Sequence, residues 1–187
     1  MTDYIIEYET AIGSSTLADA DLVRVYDSSA KAYRSATIGN IRELLASTPV
    51  NLTASTLSLT AATHSGKTVT VNRAAGSTLT LPASTGSGAR FRIIIGTTLT
   101  SGSLIIQVAN STDVMQGQIQ TMSDDPATVK AFATAASSDT ITLNRTTTGV
   151  GTAGEWLHIE DVAAGFWFVY GVTTSTGTEA TPFSAAV

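Results

Sequence analysis

The sequence predicts a mainly β protein: an antiparallel β-sandwich or jelly-roll-like domain, preceded by an N-terminal arm with one short helix. Between residues 67 and 109, apolar residues alternate with threonine or other polar residues, which is the period of a half-buried strand. Glycine and proline separate these segments, as turn residues do. Strand-like segments recur about every dozen residues, a pattern typical of a sandwich rather than an α/β fold.

The predicted N-terminal arm covers residues 1–49, and the β-sandwich domain covers residues 50–187. The arm holds a large share of the chain's acidic residues and only short, broken strand segments. Its segment LVRVYDSSAKAYRSA predicts a small hairpin that turns at Asp27, Ser28 and Ser29. Two strands alone are marginally stable in water, so the arm is expected to pack on its own domain or on a partner.

The helix of the arm is predicted over residues 37–47. Thr37 is a suitable N-cap, and the helix ends before Pro49 because the residue before proline avoids the α region. Its apolar stripe consists of Ile38, Ile41, Leu44 and Leu45. A helix this short is unstable alone, so it either caps the sandwich or docks in a groove on a partner. Capping is the favoured interpretation because capped sandwiches are common.

Four central segments are predicted to form one sheet with a single apolar face, which the rest of the chain covers. They read KTVTVNR, STLTLPA, ARFRIIIGTT and SLIIQVA. Further strands are predicted at 55–60, 115–122, 129–135, 139–147, 155–162 and 166–173. The loop before the last strand ends in Gly165, placed for a positive φ. Residues 174–187 are predicted to be a polar tail.

Aromatic residues concentrate in the last predicted hairpin, at Trp156 and over 166–168. They could form a sugar-stacking platform, but their alternation along strands places some of them in the core. The favoured interpretation assigns all of them to the core. The residues predicted to be buried are Trp156, Trp167, Val69, Leu81, Ile94 and Ile105.

The composition argues against several classes of partner. The formal net charge is −5, and only 10 lysines and arginines are scattered along the 187 residues, whereas nucleic-acid binders carry a basic patch. Charged residues make up 13%, about half the usual share. A surface of threonine and serine is cheap to bury against neighbours, which hints at assembly. The N-terminus shows no signal-peptide pattern and no run reaches the length of a membrane span, so no membrane partner is expected.

No catalytic, cofactor-binding or metal-binding set is predicted. The chain has no cysteine, and His64 and His158 lie in no metal-binding spacing. His158 is expected to face outward, and the adjacent Glu160 and Asp161 should point to opposite sides of their strand. The acidic pair at residues 124–125 is interpreted as a solvated turn, with calcium binding as the alternative. A Ser-His-Asp triad stays open, although no GxSxG motif supports it. We therefore expect a protein that is not an enzyme, with a small glycan hydrolase as the alternative.

Two segments resemble virion proteins of tailed bacteriophages. TLADADLVRVYDSSAKAYRSATIGNIRELLA resembles a short N-terminal module of phage structural proteins, in which an acidic turn, two strands and a helix follow in this order. GKTVTVNRAAGSTLTLPASTGSGARFRIIIGTTLTSGSLIIQVANSTDVMQG resembles β-domains of phage virion proteins, including small capsid decoration proteins. The two segments cover a little under half the chain.

The resemblance implies a capsid decoration (cement) protein, made in the host cytoplasm, that binds the outer head surface and stabilises the capsid lattice. It implies a homotrimer whose partner is the major capsid protein. The arm is expected to be the attachment device, through Ile5, Tyr8, Leu22, Val25, Tyr26, Ile38, Ile41, Leu44 and Leu45. The alternative is a tail or fibre-tip β-domain that recognises a host surface glycan.

Overall fold

The computed structural model describes residues 18, 20–39, 41, 48–123 and 128–187. It confirms a mainly β protein whose sheets are consistent with a sandwich. The chain divides into two compact units, Met1–Ser47 and Thr48–Val187.

The first unit contains the predicted hairpin. Strand β1 (Leu22–Asp27) pairs with the antiparallel strand β2 (Ala32–Thr37) in a two-stranded sheet. The Asp27 carboxylate accepts hydrogen bonds from the backbone N–H of Ser29 at 3.0 Å, inside the turn, and from Arg34 Nε at 2.8 Å, across the hairpin. An aspartate at the start of a turn commonly satisfies the turn's backbone in this way.

The predicted helix of the arm is described only at its beginning. Ile38 and Ile41 have helical backbone and half-buried side chains, and the Ile38 N–H donates to the Asp21 carbonyl at 2.7 Å. Leu44 and Leu45 of the predicted stripe lie outside the described residues. Ile5 and Tyr8 also lie outside them.

The second unit is built from short strands and one short helix, α1 (Ala61–His64). In chain order the strands are β3 (Val50–Leu52), β4 (Thr56–Ser58), β5 (Thr68–Val71), β6 (Ser77–Thr80), β7 (Arg90–Ile95), β8 (Leu104–Gln107), β9 (Val114–Met122), β10 (Val129–Ala133), β11 (Thr140–Leu143), β12 (Trp156–Ala163), β13 (Phe166–Thr174) and β14 (Phe183–Ser184). In the described part of the chain, one sheet has the strand order β10-β9-β13-β12-β7-β5-β3, and the other has β14-β11-β8-β6-β4.

The four central segments do not form one sheet, so that prediction was wrong. β5 and β7 are parallel neighbours in the seven-stranded sheet, whereas β6 and β8 are parallel neighbours in the five-stranded sheet. From β3 to β9 the chain crosses to the opposite sheet after each strand. Alternation in sequence shows which side of a strand is apolar, but it does not show which strand lies beside it.

Strand pairing in the sandwich is mixed rather than antiparallel throughout. The predicted antiparallel pairing holds for β12 with β7 and β13, for β9 with β10, and for β11 with β8 and β14. The crossings between sheets make β3, β5 and β7 parallel, and likewise β4, β6 and β8. β9 also lies parallel to β13.

A single hydrophobic core lies between the two sheets. Trp167 and Phe91 are fully buried in it, with ring centroids 5.9 Å apart. Val69 and Leu81 are buried as predicted. The prediction that residues 174–187 form a polar tail was partly wrong, because Phe183 is buried and its strand β14 pairs with β11.

Three residues predicted to be core side chains are only half-buried: Trp156, Ile94 and Ile105. Each lies in a strand whose adjacent residues point into the core, so the pleat turns it to the other side. When a strand carries apolar residues on both faces, the sequence does not reveal which face points inward. The prediction that these three side chains are buried was therefore wrong.

Two glycines meet specific steric demands. Gly165 has a φ of 77° in the tight connection from β12 to β13, as predicted. At Gly117 a Cβ would lie 1.8 Å from the Val169 carbonyl oxygen, because β9 passes very close to β13. Any side chain at Gly117 would therefore separate these two strands.

Candidate functional site

The outer face of β7, β12 and β13 carries the candidate site. Along β12, Leu157 and Ile159 point into the core, so Trp156, His158 and Glu160 point outward. His158 stands between Arg92 on β7 and Tyr170 on β13. Glu160 stands between Arg90 and Phe168 in the same way.

These side chains form a shallow groove of about 300 Å³, lined by Arg92, Trp156, His158, Phe168 and Tyr170. The rings of Trp156 and Tyr170 meet in a T-shaped contact, with centroids 5.7 Å apart and an interplanar angle of 61°. Phe168 is 39% exposed. The prediction that every aromatic residue of this hairpin belongs to the core was therefore wrong.

The charges of the groove are unevenly paired. Glu160 binds Arg90 Nη2 at 2.9 Å, and its other oxygen lies 3.4 Å from His158 Nε2. The hydrogen bond from Arg90 is the main cause that lowers the pKa of Glu160, so its carboxylate stays ionised. The Arg92 side chain has no hydrogen bond or ion pair within the part of the chain that the structure describes. The groove therefore offers one free guanidinium beside aromatic rings.

A column of amide side chains borders the aromatic groove. β9 lies beside β13, and its outward residues Gln116 and Gln118 are the register neighbours of Phe168 and Tyr170. Both glutamines are exposed, and neither side chain has a hydrogen-bond partner among the described residues. Each free amide presents a carbonyl acceptor and two N–H donors.

Asp161, the inward neighbour of Glu160, has a structural role. It is 1% exposed and accepts hydrogen bonds from the backbone N–H of Gly86 at 2.8 Å and of Ser87 at 2.9 Å. The Ser87 hydroxyl donates at 2.7 Å, and the Ser84 hydroxyl at 3.1 Å. Burial alone would raise the pKa of Asp161, but these hydrogen bonds hold it well below its usual range. Asp161 thus fastens the loop between β6 and β7 to β12.

Glu155 is the carboxyl whose pKa is displaced toward neutrality. It is 6% exposed, and burial raises its pKa to about 7. Its two oxygens accept from the backbone N–H of Val150 and of Thr152, each at 2.6 Å. A raised carboxyl pKa is a mark of a general acid, but both oxygens here are engaged by the preceding loop. Glu155 therefore holds that loop in place.

The sequence left two kinds of chemistry open, a Ser-His-Asp triad and a calcium site. His64 Nδ1 accepts from the Thr60 backbone N–H at 3.0 Å at the start of α1, and neither histidine hydrogen-bonds a serine among the described residues. The described ranges bring no three His, Asp or Glu side chains together as a metal site. The acidic pair at 124–125 lies outside the described residues, so the calcium question stays open. None of the described helices is long and apolar enough to span a membrane.

The predicted partner-binding residues that the structure describes lie on the hairpin and the start of the helix. Leu22 is 67% exposed and Tyr26 is 54% exposed. Beside Tyr26 stands Tyr33, 68% exposed, which the sequence analysis did not select; their ring centroids are 5.3 Å apart. The Arg24 guanidinium lies 5.3 Å from the centre of the Tyr33 ring. Val25 lies in β1, and its side chain is outside the described residues.

Sequence signals existed for the residues that were missed. Tyr33 is opposite Tyr26 once the hairpin turn is fixed, so its pairing follows from the predicted hairpin. The groove residues other than Arg92 lie in EWLHIEDV and FWFVYGV, where bulky side chains occupy both alternating positions. Such a pattern indicates a strand with apolar residues on both faces.

Comparison with known proteins finds no matching protein family, no similar curated protein and no similar solved structure.

Proposed function

We propose that this protein is a bacteriophage virion structural protein that decorates the outer surface of the capsid and stabilises its lattice. The virion identity rests on the sequence resemblance, and the observation that carries the attachment role is the exposed apolar surface of the hairpin, formed by Leu22, Tyr26 and Tyr33 at 67%, 54% and 68% exposure. A two-stranded sheet has no core in which to bury such side chains. Large apolar groups that stay exposed together mark an interaction surface.

The hairpin also offers backbone hydrogen bonds to a partner. In the described residues β1 pairs only with β2, so each strand has one unpaired edge. A strand of the major capsid protein can add to such an edge, with main-chain hydrogen bonds for affinity and the tyrosine rings for specificity. The helical residues Ile38 and Ile41 follow the hairpin in the chain, and their side chains are half-buried.

Particle binding tests the attachment. Full-length protein with Leu22, Tyr26 and Tyr33 all replaced by serine should lose at least about tenfold in affinity for capsids that lack the native protein, because a few buried aromatic anchors dominate an interface. Co-sedimentation with the capsids measures this loss. The matched control is Tyr170→Ser in the sandwich, which should bind capsids normally.

A truncated chain that begins at Val50 provides the second arm of the test. We expect it to stay folded by circular dichroism and to leave the capsids undecorated. Full occupancy by this truncated chain would show that the hairpin unit is not the anchor. Unfolding of the truncated chain would show that the helix belongs to the core of the sandwich.

The decoration role includes a homotrimer. The hydrophobic fraction is 43% and charged residues are 13%, so much of the surface is uncharged and available to neighbours. Closed cyclic symmetry covers that surface without open-ended growth. Light scattering at micromolar concentration should give three times the monomer mass, and a monomer at every concentration would contradict this proposal.

A tail or fibre-tip domain that recognises a host surface glycan is the second candidate. The aromatic groove on the outer face of β7, β12 and β13 favours it, because a decoration role alone gives no reason for free aromatic, guanidinium and amide groups in one place. Electron microscopy of virions labelled with an antibody against the protein distinguishes the candidates, since the label covers the head in one case and the tail in the other.

A role without catalysis is part of both candidates. The buried carboxylates of Asp161 and Glu155 both accept hydrogen bonds from the backbone of loops that they hold in place. Groups occupied in this way are poorly placed to act on a substrate. Incubation with bacterial surface polysaccharides should therefore release no reducing ends.

A further inference from the structure

We propose that the groove formed by Arg92, Trp156, His158, Phe168 and Tyr170 binds a carboxylate-bearing sugar, as found in acidic surface polysaccharides. The inference rests on the glycan-recognition candidate and gives it a ligand class. All of its residues belong to the sandwich unit, so it does not depend on how the hairpin attaches to a virion.

The aromatic rings supply the surface on which a sugar ring packs. The C–H groups on one side of a pyranose carry slight positive charge, and the face of an aromatic ring is negative. Phe168 is 39% exposed, and Trp156 and Tyr170 are half-buried and fixed against each other at 5.7 Å. Rings held in this way lose little conformational freedom when a ligand binds.

Arg92 selects a sugar that carries a carboxylate. Its guanidinium has no partner in the described part of the chain, whereas the neighbouring Arg90 is paired with Glu160 at 2.9 Å. The free guanidinium can bind both oxygens of a carboxylate through two parallel N–H···O hydrogen bonds. Because Arg92 borders the aromatic rings, one ligand can meet both.

Gln116 and Gln118 provide hydrogen bonds for the hydroxyl groups of the sugar. They stand beside Phe168 and Tyr170 on the same outer face, exposed to solvent. A sugar hydroxyl is both a donor and an acceptor, which matches the two kinds of atom in an amide. An acidic peptide is the competing ligand, because its carboxylate can pair with Arg92 and its backbone with the glutamine amides, and the titration below distinguishes the two.

The charge around the groove argues against a nucleic-acid ligand. A nucleic acid also stacks on aromatic rings, but it needs a basic path for its phosphates. Here the net charge is −5, and Glu160 neutralises the adjacent Arg90. The volume of about 300 Å³ is at the small end of ligand pockets, which fits one sugar unit rather than a long enclosed chain.

Titration of the full-length protein with a matched pair of sugars tests the inference. The pair consists of the methyl glycoside of galacturonic acid, with its carboxylate free, and the methyl glycoside of galactose. The two sugars differ only in the carboxylate that replaces a hydroxymethyl group. N-acetylneuraminic acid is the second acidic probe. We expect the acidic sugars to bind at least about tenfold more tightly than galactoside, since a charge-assisted hydrogen bond contributes more than a neutral one.

Tryptophan fluorescence reports where the sugar binds. The chain has two tryptophans, Trp156 in the groove and Trp167 in the core, so a ligand in the groove should change the emission of Trp156. The change should disappear in Trp156→Phe, while calorimetry still detects binding. A signal that persists in this variant would place the sugar elsewhere and overturn the inference.

Substitutions at two positions separate the carboxylate contact from the aromatic contact. Arg92→Gln should remove the preference for acidic sugars, and Arg92→Lys should restore part of it because lysine keeps the charge but loses the planar fork. Tyr170→Leu should weaken every sugar. The matched control is Arg145→Gln, which removes one exposed arginine from a loop outside the groove and should leave the affinity for every sugar unchanged.

Three results would overturn the inference. The first is equal affinity for the galacturonate and the galactoside. The second is no binding of either acidic sugar up to about 10 mM, a concentration at which very weak complexes are still detected. The third is selective binding of an acidic peptide instead. Failure of the virion proposal gives a different result. The protein would then be missing from purified phage, while the acidic sugars would still bind to it.

Discussion

The two faces of the hairpin β12–β13 use similar residues in opposite ways. On the inner face, Leu157, Ile159, Trp167 and Val169 have no exposed surface. On the outer face, Trp156, His158, Phe168 and Tyr170 line an open groove. The strands and their backbone hydrogen bonds are shared, so alternation along the strand separates the two sets of residues, and packing of the other sheet makes one side the core. Aromatic content alone therefore does not distinguish a core from a binding surface.

The largest expected difference between the faces is in the free energy of unfolding. Trp167→Ala should cost about 3–5 kcal/mol, because it removes a fully buried ring that packs on Phe91. Trp156→Ala should cost about 1–2 kcal/mol, since it loses one aromatic pair and part of its burial. Urea unfolding of both variants measures the two values. Equal losses would mean that the outer tryptophan is as important for stability as the inner one.

The adjacent acids Glu160 and Asp161 provide the second contrast. Asp161→Asn should cost about 2–3 kcal/mol, because its NH₂ group would face backbone N–H donors that then lack an acceptor. Glu160→Gln should cost less than about 1 kcal/mol, because its ion pair with Arg90 lies at the surface. Thermal melts at neutral pH compare the two. Similar losses would contradict the role assigned to Asp161.

The smallest expected effect is a pH dependence set by Glu155. Burial raises its folded-state pKa to about 7, above the ordinary value of 4.5. Its contribution to stability is therefore fully present below about pH 4.5 and is lost as the pH rises through about 7. Between pH 5 and pH 8 the native protein should lose about 2 kcal/mol relative to Glu155→Gln, which cannot titrate.

Denaturant unfolding at several pH values checks this dependence. Glu155→Gln should be less stable than the native protein at low pH, because its amide NH₂ meets the N–H of Val150 or Thr152. Val150 has a φ of 60°, unusual for a β-branched residue, so this loop relies on the Glu155 contacts. Parallel pH profiles of the two proteins would show that Glu155 does not titrate in this range.

Local patterns in the sequence were sufficient for most of the strands and for several turns. The hairpin at 22–37, the strands β9, β10, β12 and β13, and the positive φ of Gly165 all follow from alternation and turn residues. The outward position of His158 and the opposite directions of Glu160 and Asp161 follow from the same period of two. These features depend only on residues close together in the chain, which is why they could be predicted.

Tertiary structure decided which strands are neighbours and which apolar side faces the core. Residues 67–109 indicate strands, but only the crossings between sheets separate β5 and β7 from β6 and β8. Trp156 and Trp167 are equally apolar in sequence, and the sheet packed against their hairpin determines which one is buried. The loop that encloses Asp161 comes from residues more than 70 positions earlier, at Ser84–Ser87. Contacts between residues so far apart in the chain depend on sheet order, which local periodicity does not encode.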